Sequence, residues 1–273
     1  MKNILLVGFG KMGSSLARGW VKDNSKAKYN ISVIEKKVIP QIDKTFNNVN
    51  FYKNFDEFFL KKQKIDFVVL AVKPQQLNEI KDGLLKVENK NTIFISILAG
   101  KSTKWFKENI SNNLKIVRAM PNLPASISKG ITAIFCSKNI SLSEKLIIKK
   151  IMLSVGTVSF VRKENQIDVI TGISGSGPAY FFYLVEILIE IGIDLGLSKK
   201  ESVNFAQNTF IGSAYLLDEE NKLSAKSLRE NVTSPGGTTE AALKVLMNSK
   251  NGVKFLFKKA ILNAIDRANQ LKQ

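Results

Sequence analysis

Gly8-Phe9-Gly10-Lys11-Met12-Gly13 constrains this chain more than any other stretch. It follows an apolar run, Ile4 to Val7, and precedes a helical pattern from Ser14 to Val21. G-x-G-x-x-G between a strand and a helix is the fingerprint of a βαβ unit that takes a dinucleotide. Gly8 permits the tight turn, Gly10 lets backbone approach a pyrophosphate, and Gly13 lets helix and strand pack closely. The helix N-terminus adds unpaired amides and partial positive charge. Glycines also make ordinary turns, so the surrounding pattern has to carry the assignment.

That pattern is present. Asn3 to Gly8, Ile31 to Glu35, Ile65 to Val72, Thr92 to Leu98, Lys115 to Ala119 and Ile131 to Phe135 read as strands alternating with helical stretches. Alternation of this kind predicts a mainly parallel α/β sheet of Rossmann type. Ser141-Leu142-Ser143-Glu144 is a capping-box pattern opening a helix to about Ser154, and Val155 to Val161 reads as a last strand. Beyond residue 162 the texture is helical: Gln166 to Ile173, Pro178 to Leu195, Lys199 to Glu220, a short helix near Ser224, Thr239 to Met247 and Val253 to Lys272. Two domains are therefore expected, a dinucleotide-binding one over 1–162 and an all-helical one over 163–273. A chain of 273 residues with 44% hydrophobic content can fill both cores.

Composition removes several function classes. Histidine is absent, and with it the usual general acid/base, the usual hydrolase triad and the commonest zinc ligand. One cysteine, Cys136, excludes an intrachain disulfide or a cysteine-cluster metal site and fits a reducing, cytoplasmic compartment. No metal is expected. A net charge of +18 suits a nucleic-acid binder, but the lysines are scattered and read as solvated faces and as a field that attracts anionic ligands. No signal region precedes the first strand. Ala179 to Leu195 is apolar enough to suggest a membrane span, yet Glu186, Glu190 and Asp194 line one helical face, so no membrane is expected. Such a helix, apolar almost all round, is either an internal core helix or is buried against a second subunit.

Other motifs fall where open α/β sheets bind ligands. Glu35 ends the second strand, where an acidic side chain bonds the adenosine ribose and favours NAD; Lys36 and Lys37 follow and suit a 2′-phosphate, so the signals conflict. Ala71-Val72-Lys73-Pro74-Gln75 and Ile97-Leu98-Ala99-Gly100 leave strands by the same carboxyl edge. Pro74 has a sufficient role in starting a helix, and Lys73 has no such explanation. Ser174-Gly175-Ser176-Gly177-Pro178 reads as a tight corner between helices. In Ser234-Pro235-Gly236-Gly237-Thr238-Thr239 two glycines bare amides at a helix entry, which suits a carboxylate; a threonine-capped helix-entry loop is the plainer alternative.

Together with Arg118-Ala119-Met120-Pro121-Asn122 and Tyr180, these motifs resemble pyrroline-5-carboxylate reductase in order and spacing over nearly the whole chain. The resemblance implies reduction of 1-pyrroline-5-carboxylate to L-proline with NADPH or NADH, the last step of proline biosynthesis, by a homo-oligomer built from dimers through the helical domain. It assigns Gly8, Phe9, Gly10, Lys11, Met12, Gly13, Glu35, Asn54, Ala71, Val72, Lys73, Pro74, Ala99 and Asn231 to the cofactor. Gly236, Gly237 and Thr238 would hold the substrate carboxylate, Thr239 would bond the ring nitrogen as the catalytic group, and Glu164 would line that pocket across the dimer. The chain departs from the family at Leu123, where a small residue is usual, and at Glu35.

The missing histidine fits that chemistry. A protonated cyclic imine is already positive beside the carbon that accepts hydride, so positioning plus a threonine or water suffices. Competing readings are a β-hydroxyacid dehydrogenase-like enzyme, a non-catalytic nucleotide sensor and a nucleic-acid binder. The first expects a catalytic lysine on the helix from Pro178, which has none before Lys199.

Overall fold

The computed structural model describes residues 1–22, 29–37, 43–220 and 223–270. The chain begins with β1 (Lys2–Val7), α1 (Lys11–Lys22), β2 (Tyr29–Ile34), β3 (Val49–Tyr52), α2 (Phe55–Phe59) and β4 (Phe67–Leu70). It continues through α3 (Leu77–Val87), β5 (Ile93–Ser96), α4 (Thr103–Asn109), β6 (Lys115–Met120), β7 (Gly130–Cys136), α5 (Leu142–Leu153) and β8 (Gly156–Phe160). These strands form one sheet in the order β3-β2-β1-β4-β5-β6-β7-β8. The order reverses at β1, between β2 and β4, and that switch point opens the crevice where α/β sheets bind ligands.

Both faces of the central strands β1, β4 and β5 are buried, which is why they read as continuous apolar runs. Ile4, Leu6, Val33, Val69, Ile95 and Val117 face Leu16 and Trp20 of α1 and Ile148 and Ile151 of α5. Leu5, Val7, Val68, Leu70, Phe94 and Ile116 face Phe58, Leu77, Leu84 and Phe106 on the other side. Trp20 is fully buried, and its indole N–H donates to the Ile151 carbonyl at 2.9 Å, tying α1 to α5.

Three features differ from the sequence reading. Ser174 to Pro178, expected as a tight corner between helices, lies within one helical run from Asn165 to Asp194 that passes through a π-turn. Val49–Tyr52 is a further strand, parallel to β2 at the edge of the sheet. Its four residues show too little alternation to register as a pattern. β7 runs antiparallel to β6, because the intervening stretch holds only a 3₁₀ turn, Leu123–Ile127, and no helix to carry the chain back.

The capping boxes form as expected. The Ser141 hydroxyl accepts the Glu144 N–H at 3.3 Å, and the Glu144 carboxylate accepts the Ser141 N–H at 2.8 Å. Burial tends to raise the Glu144 carboxyl's pKa, but its bonds to Lys115 and Ser141 outweigh that and hold it below its ordinary value. Ser198 and Glu201 repeat the arrangement.

The helical part comprises α6 (Asn165–Ile170), which runs into a π-turn over Thr171–Gly175, then α7 (Gly177–Asp194), α8 (Lys199–Glu219), α9 (Ala225–Asn231), α10 (Thr238–Leu246) and α11 (Val253–Gln270). Lys272, the expected end of the last helix, lies outside the described residues. The chain divides into two compact units, Met1–Ser176 with Ala264–Gln273 and Gly177–Asn263. Within the second, α7 and α8 pack as an antiparallel pair: Phe181 meets Phe210 at 5.8 Å, and a Cβ on Gly192 would lie 2.8 Å from Ser202 Oγ. Gly196, at φ +99°, makes the turn between them. Phe182, Tyr183, Leu188, Ile191, Phe205, Ile211 and Tyr215 stay exposed on this pair. Asn165–Asp194 is long and apolar enough, among the described residues, to cross a bilayer.

Candidate active site

The glycine loop leaves β1 at the switch point, and its geometry explains each glycine differently. Gly8 has φ +97°, and a Cβ there would lie 2.7 Å from the Ala71 carbonyl oxygen. A Cβ on Gly13 would collide with the Gly8 carbonyl oxygen, so this glycine closes α1 onto the loop. Gly10 meets nothing within 4 Å and lies open. No acidic residue sits in the first turn of α1, so its amides are left to an anion.

Gly8 and Gly10 line a groove of about 540 Å³ with Glu35, Lys36, Lys37, Asn54, Ala71, Val72 and Lys73. Its lining also includes Lys53, Gln76, Glu79 and Lys86, which the sequence reading did not single out. Phe9 and Met12 pack inward: the Phe9 ring stands edge-on to Phe46 and Phe51 at 5.2 and 5.1 Å, and Met12 joins the same core. Asn54 caps α2, its side-chain oxygen accepting the Glu57 N–H at 2.9 Å. Pro74 opens a 3₁₀ turn, with the Lys73 N–H donating to Gln76 Oε1 at 3.1 Å.

The tertiary structure bears directly on the conflict around Glu35. Its carboxylate accepts the Phe9 N–H at 2.7 Å and the Lys37 N–H at 3.0 Å, so it is fixed over the glycine loop. Lys36 Nζ is 2.6 Å from Glu79 Oε2, a partner brought in by α3. Lys36 is therefore engaged by a carboxylate rather than presented alone to the groove.

At the next carboxyl edge, Ala99 packs against Met120, Ala133 and Ile167. Glu164 lies just before α6, and its carboxylate accepts the Thr103 N–H at 2.7 Å and the Thr103 hydroxyl at 2.6 Å. Arg118 donates to it at 3.2 Å and to Asp168 at 2.9 Å. Asn122 links the Met-Pro-Asn turn to the Ser-Gly-Ser-Gly segment through Ser174 Oγ at 3.2 Å. Thr103, Arg118 and Asp168 were not foreseen as a cluster; the one available signal was a charge inside the apolar run Ile116 to Met120.

In the second unit Asn231 ends α9, and Gly237 is the N-cap of α10, with Thr238 and Thr239 in its first turn. Gly236 adopts φ +71°, and its N–H donates to Glu240 Oε2 at 2.9 Å. The Gly237 N–H donates to the Ser234 carbonyl at 3.0 Å. Among the described residues no acceptor meets the amides of Thr238 and Thr239, and these stand at the positive end of α10.

Residues 164–271 match the family model for pyrroline-5-carboxylate reductase dimerisation, and residues 3–100 match that for NADP oxidoreductase, coenzyme F420-dependent. The pyrroline-5-carboxylate reductase of Aquifex aeolicus is 33% identical over 97% of this chain and 94% of its own length. Among solved structures, that of Coxiella burnetii superposes with a TM-score of 0.84 at 34% identity, covering 100% of this chain and 99% of the other. The Plasmodium falciparum enzyme, solved with NADP bound, gives 0.82 at 28% identity, covering 100% and 98%. A groove beside the glycine loop, unmet amides at a helix entry and full-length similarity at this level agree. The chain belongs to the pyrroline-5-carboxylate reductase family of NAD(P)-dependent oxidoreductases.

Proposed function

We propose that residues 1–162 bind NADPH or NADH and residues 163–273 bind 1-pyrroline-5-carboxylate, with hydride passing from nicotinamide C4 to the C=N carbon of the protonated imine to give L-proline. The carrying observation is the groove at Gly8 and Gly10, with a fixed carboxylate at Glu35. Gly10 and the first turn of α1 take the pyrophosphate, Lys73 and Ala99 serve the nicotinamide end, and Asn54 and Asn231 add further contacts. The substrate carboxylate lies against Gly236, Gly237 and Thr238. With Gly236 and Gly237 bonded internally, the amides of Thr238 and Thr239 supply the direct hydrogen bonds. Thr239 bonds the ring nitrogen, and Glu164 lines the substrate pocket across the dimer. In functional terms the division runs at 1–162 for cofactor and 163–273 for substrate and dimerisation. The test is oxidation of NADPH and NADH in parallel with 1-pyrroline-5-carboxylate. Turnover with at least one is expected, and folded protein inactive with both overturns the reading.

The same reading places the enzyme in the cytoplasm as a dimer or a multiple of dimers, without membrane or nucleic acid. Glu186, Glu190 and Asp194 are exposed on α7, which suits an aqueous or protein-covered surface better than lipid. Light scattering should give an even number of chains, with activity lost on dilution below the dissociation constant. A stable, active monomer contradicts it.

A further inference from the structure

Arg118 stands in a strand whose neighbouring side chains are apolar, and it is 1% exposed. A buried guanidinium is strongly unfavourable unless its donors are met. Nη2 donates to Asp168 Oδ1 at 2.9 Å and Nη1 to Glu164 Oε1 at 3.2 Å, while Nε has no hydrogen-bond partner among the described residues. The orientation that reaches both carboxylates leaves Nε bare, a penalty that a merely space-filling side chain would not carry.

Glu164 passes this constraint onward. Its two oxygens hold the N–H and hydroxyl of Thr103, the first residue of α4. Residues 97–102, between β5 and Thr103, form the loop that carries Ala99. Its near end is fixed to the sheet by Ile97 N–H on the Leu70 carbonyl at 3.1 Å and by Leu98 N–H on Ser96 Oγ at 3.3 Å. Gly100 turns the loop at φ +80°, and Ala99 packs against the cluster that holds Met120, Ala133 and the fully buried Ile167. The far end of the loop is thus set by Glu164, and Glu164 is set by Arg118.

We propose that Arg118, itself anchored by Asp168, is a positioning residue for hydride transfer: through Glu164 and Thr103 it fixes the far end of loop 97–102, the wall against which the nicotinamide ring lies. This rests on the reading of Ala99 as a nicotinamide contact. Arg118 is buried and lies outside the lining of the cofactor groove, so it acts through its partners. A cluster that only fastened α6 to the sheet would change stability and leave the chemical step in the folded protein unaltered.

Two variants of the full chain separate these roles. Arg118→Lys keeps the charge, but one ammonium cannot span both carboxylates as the fork does. Thr103→Val keeps the shape and deletes one donor to Glu164. The measurements are NADPH affinity by nicotinamide fluorescence, the single-turnover rate of NADPH oxidation at saturating 1-pyrroline-5-carboxylate, and the thermal midpoint. A roughly tenfold slower single turnover is expected in Arg118→Lys, in line with the sensitivity of hydride transfer to small misplacements, with NADPH affinity within about twofold. Thr103→Val should slow it about threefold, as for one lost hydrogen bond. Single-turnover rates equal to the unsubstituted protein's, whatever the thermal midpoint does, overturn the proposal. If Arg118→Lys does not fold, Thr103→Val decides alone. Absence of turnover in the unsubstituted protein overturns the reductase reading and this proposal with it, whereas turnover with unchanged variant rates overturns only the latter.

Discussion

Thr239→Val lowers the turnover number by roughly ten- to a thousandfold, the range for one positioned group that handles a proton or developing charge. Thr239 sits in the first turn of α10, and its hydroxyl makes no hydrogen bond within the described residues, so it is available to a ligand. Hydride arriving at the C=N carbon converts a cationic iminium into a basic amine nitrogen. A hydrogen bond to that nitrogen therefore strengthens along the reaction and belongs to the transition state more than to the bound substrate. Valine keeps the β-branched shape, so packing at the helix entry is preserved while the bond is lost. Steady-state kinetics should show the loss in kcat, with cofactor affinity unchanged. A rise confined to KM assigns Thr239 to substrate binding alone, and unaltered kinetics leave water as the proton source.

Glu35→Ser moves the ratio of kcat/KM for NADPH over NADH upward by about 10- to 100-fold, consistent with like-charge repulsion of a few kcal/mol at hydrogen-bonding range. The Glu35 carboxylate is held over the glycine loop by the amides of Phe9 and Lys37, where the adenosine ribose of a bound dinucleotide comes closest to β2. With Glu35 fixed as an acceptor and Lys36 shared with Glu79, NADH should be used at least comparably with NADPH, while Lys37 remains beside the 2′ position to favour NADPH once the Glu35 charge is removed. Serine removes the negative charge but also the acceptor on the Phe9 amide. Glu35→Gln separates the two effects, because it keeps an acceptor without charge; it should recover most of the shift if repulsion dominates. Parallel assays with both cofactors read the result, and an unchanged ratio in both variants means that Glu35 does not face the 2′ position.

Whatever depends on short-range pattern was legible in the sequence. The glycine fingerprint could be placed because its spacing sits between an apolar strand and a helix; Gly13 then answers to the Gly8 carbonyl within the same loop, while the contact of Gly8 with Ala71 is made only by the fold. The sheet was legible because both faces of its central strands are buried, which writes each of them as an uninterrupted apolar run. Capping boxes at Ser141 and Ser198 were legible because partners three residues apart must meet at a helix start. The family motifs then extended the reading to the loop from Ser234 to Thr239, which periodicity alone left open between an anion site and a capped turn.

Four features depended on residues that the sequence keeps far apart. β3 was invisible because an edge strand of four residues takes its identity from hydrogen bonds to β2 rather than from its own alternation. The direction of β7 depended on how much chain is needed to cross back over a sheet, which composition does not state. Lys36 looked free until α3 brought Glu79 to it, and Arg118 looked like a strand charge until α6 brought two carboxylates. A strand, a helix or a cap is fixed by neighbours within a few residues. Whether a charge is free to meet a ligand is fixed by what the fold places beside it, because electrostatic and hydrogen-bond energies fall off over a few ångströms of space, whatever the separation along the chain.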